Sequence, residues 1–429
     1  MDRFGNKVTP AKNYTLIDFV KEKLNELKNY DNIANKDSPL VSIKNFEDIH
    51  MDADLLKAVY AAGFNRPSKI QANALPLLLA DPPLNLVAQS QSGTGKTAAF
   101  VLAMLTRVNK KLNYPQVICL CPTYELAIQT GEICTKLSAG ITVIYAVRGE
   151  PNPSVAQITE QIIIGTPGKV MDWGIKYKWF DLSKIRVFVL DEADTMVSTQ
   201  GHHDRCIRIH RKLDLSCQMI FFSATYDDEV LDFVQYMVPN PKIIRLPREQ
   251  ECLDNIKQYY ALCRGEESKY TAIQNIYGGI TIGQAIIFCN TRKCAAWLTR
   301  KLTKDGHSVA VLSGELNIVE RLSILDRFRA GLEKVLVTTN VLSRGIDVTQ
   351  VTLVVNFHMP ILHGDEKPDY DTYLHRIGRT GRFGKHGIAL NLVENENDMK
   401  LLRSFEAHFR KPIKLLNTND SDEVHKLEH

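Results

Sequence analysis

The stretch Ser90-Gln91-Ser92-Gly93-Thr94-Gly95-Lys96-Thr97 follows the apolar run Asn85 to Ala88 and opens a helical pattern. In that context backbone N–H groups exposed by glycine, together with a helix N-terminus, cradle phosphates. The arrangement is a Walker A loop. Lys96 is placed to pair with β- and γ-phosphates, Thr97 to offer its hydroxyl to Mg2+, and Gly93 and Gly95 to let the backbone approach closely. Ser90 stands where the general pattern has its first glycine. A second element is Val187-Phe188-Val189-Leu190-Asp191-Glu192-Ala193-Asp194, in which four apolar residues deliver carboxylates to the end of a buried strand. Asp191 fits a magnesium ligand acting through water, and Glu192 the group that orients or deprotonates an attacking water. A loop of this type can arise by chance, and an acidic cluster alone can be a solvent-exposed strand cap. Together they point to nucleotide hydrolysis.

These residues must be held by strands that end beside one another. Short β-branched runs recur at Asn85 to Ala88, Val117 to Leu120, Thr142 to Ala146, Ile162 to Gly165, Val187 to Leu190 and Met219 to Ser223. A second series follows at Ala285 to Cys289, Val309 to Ser313, Lys334 to Thr338, Leu353 to Phe357 and Ile388 to Val393. Helical stretches alternate with both series, so each should be a parallel sheet with crossover helices. The runs are apolar on both faces, which predicts helices on both sides and ligands at the strands' C-terminal ends. The expected fold class is α/β, with two tandem parallel-sheet domains, a short linker and an N-terminal helical extension. The boundaries read as an extension over 1–40, a first lobe over 41–245, a linker over 246–256, a second lobe over 257–417 and a tail over 418–429. Thr15 and Asp18 begin a capping-box-like pattern, and Leu16, Val20, Leu24 and Leu27 recur at helical spacing up to about Tyr30. That helix reads equally as packing on the first lobe or as a movable competitor for the cleft.

At 429 residues and about 150 residues per domain the chain has room for two or three domains. Hydrophobic residues at 44% and charged residues at 24% exclude fibrous and mainly disordered architectures. Lys+Arg 53 against Asp+Glu 49 confines any nucleic-acid surface to a local stripe. No apolar run approaches the roughly 20 residues of a membrane span, and Met1 to Lys7 carries no apolar signal core. A non-secreted chain in a reducing compartment, without a membrane partner, is expected. The nine cysteines read as small buried hydrophobes, several inside strand-like runs. No metal-ligand spacing appears, and Gly201-His202-His203-Asp204 reads as an exposed loop. The closing Leu427-Glu428-His429 resembles an expression-tag remnant.

From about Phe46 to Leu416 the chain resembles the DEAD-box RNA helicases of helicase superfamily 2, whose signature is the Asp191-Glu192-Ala193-Asp194 tetrad. Further family motifs stand in order: Gly63-Phe64-Asn65-Arg66-Pro67-Ser68-Lys69-Ile70-Gln71, Pro122-Thr123-Tyr124-Glu125-Leu126-Ala127, Thr166-Pro167-Gly168-Lys169 and Ser223-Ala224-Thr225. In the second half come Ile287 to Thr291, Thr338 to Asp347 and His375-Arg376-Ile377-Gly378-Arg379-Thr380-Gly381-Arg382. The resemblance implies RecA-like lobes, ATP with Mg2+, and a nucleotide site that includes Phe46, Gln71, Ser90, Gln91, Ser92, Thr94, Gly345 and Asp347. Gln71 can donate and accept at once, matching the N6 and N7 edge of adenine, while Phe46 or Phe64 can stack on the ring. By itself Gln71 reads equally as a helix-surface residue. Arg379 and Arg382 stand three apart and can point together at a γ-phosphate held by the other lobe. Ser223 and Thr225 suit hydrogen bonds to Asp194 and His375, a coupling role in the family.

For single-stranded RNA the family pattern implies Pro122, Thr123, Gly149, Thr166, Gly168, Arg321, Thr338 and Thr339, along a groove crossing both lobes. Such residues contact phosphates and 2′-OH groups without reading bases. Departures from the general pattern are Tyr124 in place of Arg, Arg148-Gly149-Glu150 in place of a glycine doublet, Lys169 for Arg and Asn340 for Asp. Tyr124 removes a guanidinium from the groove. With Asp81 to Leu86, Thr199 to His202 and the long loop Ile361 to Asp371, these look like the mRNA-export subfamily and its germ-cell paralogues. That resemblance implies a monomer working on mRNA–protein particles at the cytoplasmic face of the nuclear pore. It also implies a nucleoporin and an activator dependent on inositol hexakisphosphate as partners. Rival readings are an ATP-gated RNA clamp with little turnover and a DNA helicase.

Overall fold

The apolar runs form Leu86–Gln89 (β1), Val117–Leu120 (β2), Val143–Ala146 (β3), Ile162–Gly165 (β4), Val187–Leu190 (β5) and Gln218–Ser223 (β6); every residue is buried except in the edge strand β3, where only Ala146 is. A short strand, Lys242–Ile244 (β7), completes the first sheet. The computed structural model describes residues 43–49, 51–90, 93–138, 140–153, 157–244, 255–339, 350–362, 366–381 and 386–428. The second sheet contains Ile256–Leu262 (β8), Gln284–Phe288 (β9), Val309–Leu312 (β10), Val335–Thr338 (β11), Val351–Asn356 (β12), Gly387–Val393 (β13) and Lys414–Leu415 (β14). The N-terminal extension, including the expected Leu16 to Tyr30 helix, lies outside the described residues, as do linker residues 246–254.

Both sheets are seven-stranded, and their strand orders are β3-β4-β2-β5-β6-β1-β7 and β10-β11-β9-β12-β13-β8-β14. Renumbered from its own first strand, the second sheet has the order of the first. All the strand pairings are parallel. The pattern therefore belongs to two RecA-like α/β lobes, each covered on both faces. In the first lobe, Leu86, Ala88, Val117 and Cys119 face one core layer, while Val87, Ile118 and Leu120 face another. This two-sided burial is what parallel sheets require and why the strands lack polar alternation.

Two expectations need correction. β8 begins at Ile256, inside the stretch read as linker. The stretch read as a tail is folded: Ser421–His425 is a helix, and Val424 and Leu427 join the second lobe's core. A Cβ at Gly279 would overlap the Val424 side chain, so glycine permits this docking. Among the described residues no helix is long and apolar enough to cross a membrane. The eight described cysteines are free and buried.

Candidate active site

The helix Lys96–Arg107 starts immediately after the glycine turn, with Gly93 at φ 78° and Gly95 at φ 96°. A side chain at Gly95 would be doubly excluded. Its φ disfavours L-residues, and a Cβ would come within 2.6 Å of Gln71 Nε2. Gln71 donates from Nε2 to the Gly95 carbonyl (3.0 Å) and accepts the Ser68 N–H at Oε1 (2.9 Å). Its amide thus ties the Lys69–Leu78 helix to the phosphate loop, leaving one N–H and one lone pair for adenine. Ser90 Oγ lies 2.5 Å from Thr94 Oγ1 and shapes the turn where the general pattern has glycine. Thr97 is half-buried on the first helical turn, whereas Gln91 and Ser92 lie outside the described residues.

Lys96 is only 7% exposed, and its Nζ has no hydrogen-bond partner among the described residues. A buried ammonium in that state is costly unless a ligand supplies anions. Asp191 and Glu192 are buried at the end of β5. Burial pushes the Asp191 carboxyl up to about 7, opposed by the Lys96 charge. A carboxylate so desolvated is suited to a cation. Glu192 takes a left-handed backbone (φ 50°, ψ 59°) that a residue with a Cβ rarely adopts. Its N–H donates to Asp191 Oδ1 (3.0 Å), so the turn is held by the same carboxylate.

A continuous set of bonds leaves this pocket. Ser90 N–H donates to the Ser223 carbonyl (2.9 Å), and Gln89 Nε2 to the Ala224 carbonyl (3.2 Å). Ser223 Oγ accepts the Asp194 N–H (3.1 Å), and Thr225 Oγ1 donates to Asp194 Oδ2 (3.1 Å). The same Oδ2 lies 3.2 Å from His375 Nε2, in the second lobe. The coupling residues read from the sequence are therefore in contact. Arg379 is buried one helical turn away, with Nε donating to the His375 carbonyl (2.9 Å). Arg382, Gly345 and Asp347 lie outside the described residues.

The other half of each sheet carries the RNA candidates. Pro122 and Thr123 follow β2, Gly149 follows β3, Thr166 and Gly168 follow β4, and Thr339 follows β11. Thr123 Oγ1 accepts the Leu126 N–H (3.2 Å) and caps the Tyr124–Leu137 helix. Gly149 has φ 101°. Tyr124 is buried and donates to Glu150 Oε1 (3.0 Å), and burial with that bond raises its phenol to about 12. The departures at 124 and 150 thus form one pair beside Gly149.

Three candidates have different surroundings from those expected. Phe46 is 1% exposed with its ring edge-on to Tyr60, so in this structure it is a core ring and presents no open face for adenine; Phe64 is half-buried. Thr338 is fully buried, and its Oγ1 lies 3.0 Å from the Leu312 carbonyl and 2.9 Å from that of Thr339. In this structure its hydroxyl serves the sheet. Arg321 Nη1 pairs across the lobes with Glu125 Oε1 at 3.1 Å, so its charge lies in the seam. Glu125 was missed, although an acid in the first turn after Thr123 was the available signal.

Comparison with known proteins agrees with this geometry. Residues 68–233 match the DEAD/DEAH box helicase family model, and residues 268–384 match the helicase conserved C-terminal domain. The chain belongs to the DEAD-box RNA helicases. It is 62% identical to the DEAD-box helicase Dbp80 of Drosophila melanogaster over 92% of this chain and 86% of that one. Among solved structures it is similar to S. cerevisiae Dbp5 bound to RNA and ADP BeF3, with TM-score 0.85, 45% identity and coverage of 90% of this chain and 98% of that chain. A Dbp5 variant bound to Nup159, a Gle1 variant, IP6 and ADP gives TM-score 0.66 at 44% identity, covering 88% and 98%. As a DEAD-box protein the chain is an ATP-dependent RNA helicase, and its two lobes are RecA-like.

Proposed function

We propose that this helicase is an ATP-driven clamp on single-stranded RNA whose hydrolysis step is assembled only when the lobes meet, and that it remodels mRNA–protein particles during export. The observation that carries the reading is the Asp194–His375 contact of 3.2 Å. It joins the acidic tetrad of one lobe to the arginine-bearing motif of the other. The two halves of each sheet divide the work. In the first sheet β5, β6 and β1 lie side by side, as do β3, β4 and β2; the first three would end at the nucleotide and the others at the RNA edge. Each half has its own interlobe contact, Asp194–His375 and Glu125–Arg321.

ATP would lie with its phosphates on Gly93, Gly95 and Lys96, its base beside Gln71. The buried, unpartnered Lys96 ammonium and the desolvated Asp191 fit a nucleotide phosphate and Mg2+, which Thr97 and, through water, Asp191 would hold. When bound, the ion supplies charge neutralisation at the phosphates. Glu192 orients the attacking water and accepts its proton. Arg379 meets charge developing on the γ-phosphate, and Arg382, three residues on, shares that role. RNA held across both lobes would favour closure, so hydrolysis should depend on it. Closure would bend one strand and strip its partner or a bound protein locally.

Support for a pore-linked role comes from Dbp5, which has been solved with RNA and, as a variant, with Nup159, Gle1 and IP6. By that likeness the proposed partners are a nucleoporin and an activator that uses inositol hexakisphosphate; action as a monomer at the cytoplasmic face of the nuclear pore is proposed from the sequence resemblance alone. The test is Glu192→Gln. ATP turnover should vanish while ATP-dependent RNA retention persists, measured by filter binding. Normal hydrolysis by the variant would remove Glu192 from its role. Equal stimulation by DNA would favour a DNA helicase, and absent RNA stimulation a passive clamp.

A further inference from the structure

Beside the His375–Arg379 motif lies a cluster that hydrolysis does not use. The Sγ atoms of Cys289 and Cys294 and a ring nitrogen of His358 all lie within 4.8 Å of one another. Three separate elements bring them together. Cys289 directly follows β9, Cys294 sits in the first turn of the Arg292–Lys304 helix, and His358 is two residues past β12. Both thiols are buried and His358 is half-buried. Among the described residues no other three metal-donor side chains converge in this way.

The surroundings fix the three donors. Cys294 N–H donates to Thr291 Oγ1 (3.2 Å), which sets the helical turn. Arg376 donates to the His358 carbonyl (2.8 Å) and to Asn356 Oδ1 (3.0 Å), which holds the end of β12. Asn290 N–H donates to His358 Nδ1 (3.2 Å), so that lone pair is aimed at the chain segment carrying Cys289. A hydrogen bond with Cys294 and burial push the Cys289 thiol well up, against the Arg376 charge, so the two sulfurs stay protonated until a cation replaces their protons. Thr291 and Arg376 thus fix the backbone that carries the donors, while the Asn290 N–H holds the His358 ring by the lone pair an ion would use.

We propose that Cys289, Cys294 and His358 form a binding site for a zinc-class thiophilic divalent cation. Two thiolates and one imidazole are the donors that zinc-class ions prefer over Mg2+ or Ca2+. Tetrahedral coordination, with Zn–S about 2.3 Å and Zn–N about 2.0 Å, sets donors about 3.5–3.8 Å apart, so a contraction of about 1 Å completes the set. On binding, each thiol releases its proton to solvent, and the ion takes over the His358 Nδ1 lone pair from Asn290. Two thiolates against a divalent cation leave the site neutral, with a fourth position for water or a small anion. The ion would join the ends of β9 and β12 to the start of the Arg292–Lys304 helix.

The test is titration of the metal-stripped full chain with Co2+ under a phosphine reductant. Wild type should take up one equivalent with thiolate-to-metal charge-transfer absorption in the near ultraviolet, displaced by Zn2+. Residues 90–97 and 191–194 include no cysteine, so an ion held by them would not give this signal. Cys294→Ser, which removes one of the two thiolates, should cut the band to half or less, and Cys134→Ser, on the first lobe, should leave it intact. Should Cys294→Ser fail to fold, His358→Ala decides, with affinity at least tenfold weaker expected. A missing band in wild type, the same band in Cys294→Ser, or undiminished affinity in His358→Ala would overturn the proposal.

Discussion

Two buried lysines occupy the helices that follow the first strands, β1 and β8, of two lobes with the same strand order, and they are treated in opposite ways. In the second lobe Lys269, 1% exposed, is matched by the protein itself: Nζ lies 3.0 Å from Glu394 Oε2 and donates to the Phe357 carbonyl at 3.1 Å. In the first lobe Lys96 Nζ has no such partner among the described residues. A buried cation completed from within stabilises its lobe, and one left incomplete marks the place a ligand must fill. The repeated fold alone does not distinguish ATP-binding lobe from partner lobe. The state of each lysine does.

Breaking the two sites should therefore have different consequences. Lys96→Ala should cut RNA-stimulated ATP turnover by about 100-fold or more, with thermal stability unchanged or raised, read by phosphate release and calorimetry. If turnover survives, Lys96 is not a phosphate ligand. The Asp191 carboxyl sharpens the same contrast through pH. Its pKa is raised from 3.8 to about 7 in the ligand-free fold. Its contribution to stability is fully present below about 4 and is lost as pH rises through about 7. Asp191→Asn should gain several degrees in melting temperature relative to wild type between pH 5 and pH 8; a constant difference would show that Asp191 is not held neutral. Lys269→Ala should cost about 2 kcal/mol, below the usual range for a broken buried pair because Glu394 is 39% exposed. Its ATP turnover per folded molecule should match wild type, as denaturant titration and kinetics together would report. The smallest effect is expected at the rim of the seam. Glu125→Gln should weaken RNA-dependent closure severalfold, raising the RNA concentration needed for half-stimulation, without changing basal hydrolysis.

Much of this organisation was legible in the sequence, for a physical reason. Strands buried on both faces, such as Ile162–Gly165 and Val187–Leu190, need apolar residues at every position, and such runs stand out. The sites at their ends were equally legible, since glycines, lysine and paired acids occur there in short contiguous motifs. β7 has three residues, one of them exposed, and β14 has two, both exposed, so neither carries a periodic signal. β8 mixes Lys257 and Gln258 among apolar residues beside a charged stretch, which hid its start. Thr338 carried the right residue type for RNA, but its burial depends on the sheet around it. Cys294 and His358 are 64 positions apart, a separation no ligand-spacing rule anticipates, and only the convergence of β9 and β12 brings them together.

The central claim is that the second lobe supplies groups without which the first does not hydrolyse ATP. Single-turnover hydrolysis by wild type and Arg379→Ala, each in saturating excess over ATP and with or without single-stranded RNA, tests it most directly. Wild type should be accelerated strongly by RNA, and Arg379→Ala should bind ATP yet respond little. Equal acceleration of both would contradict the claim.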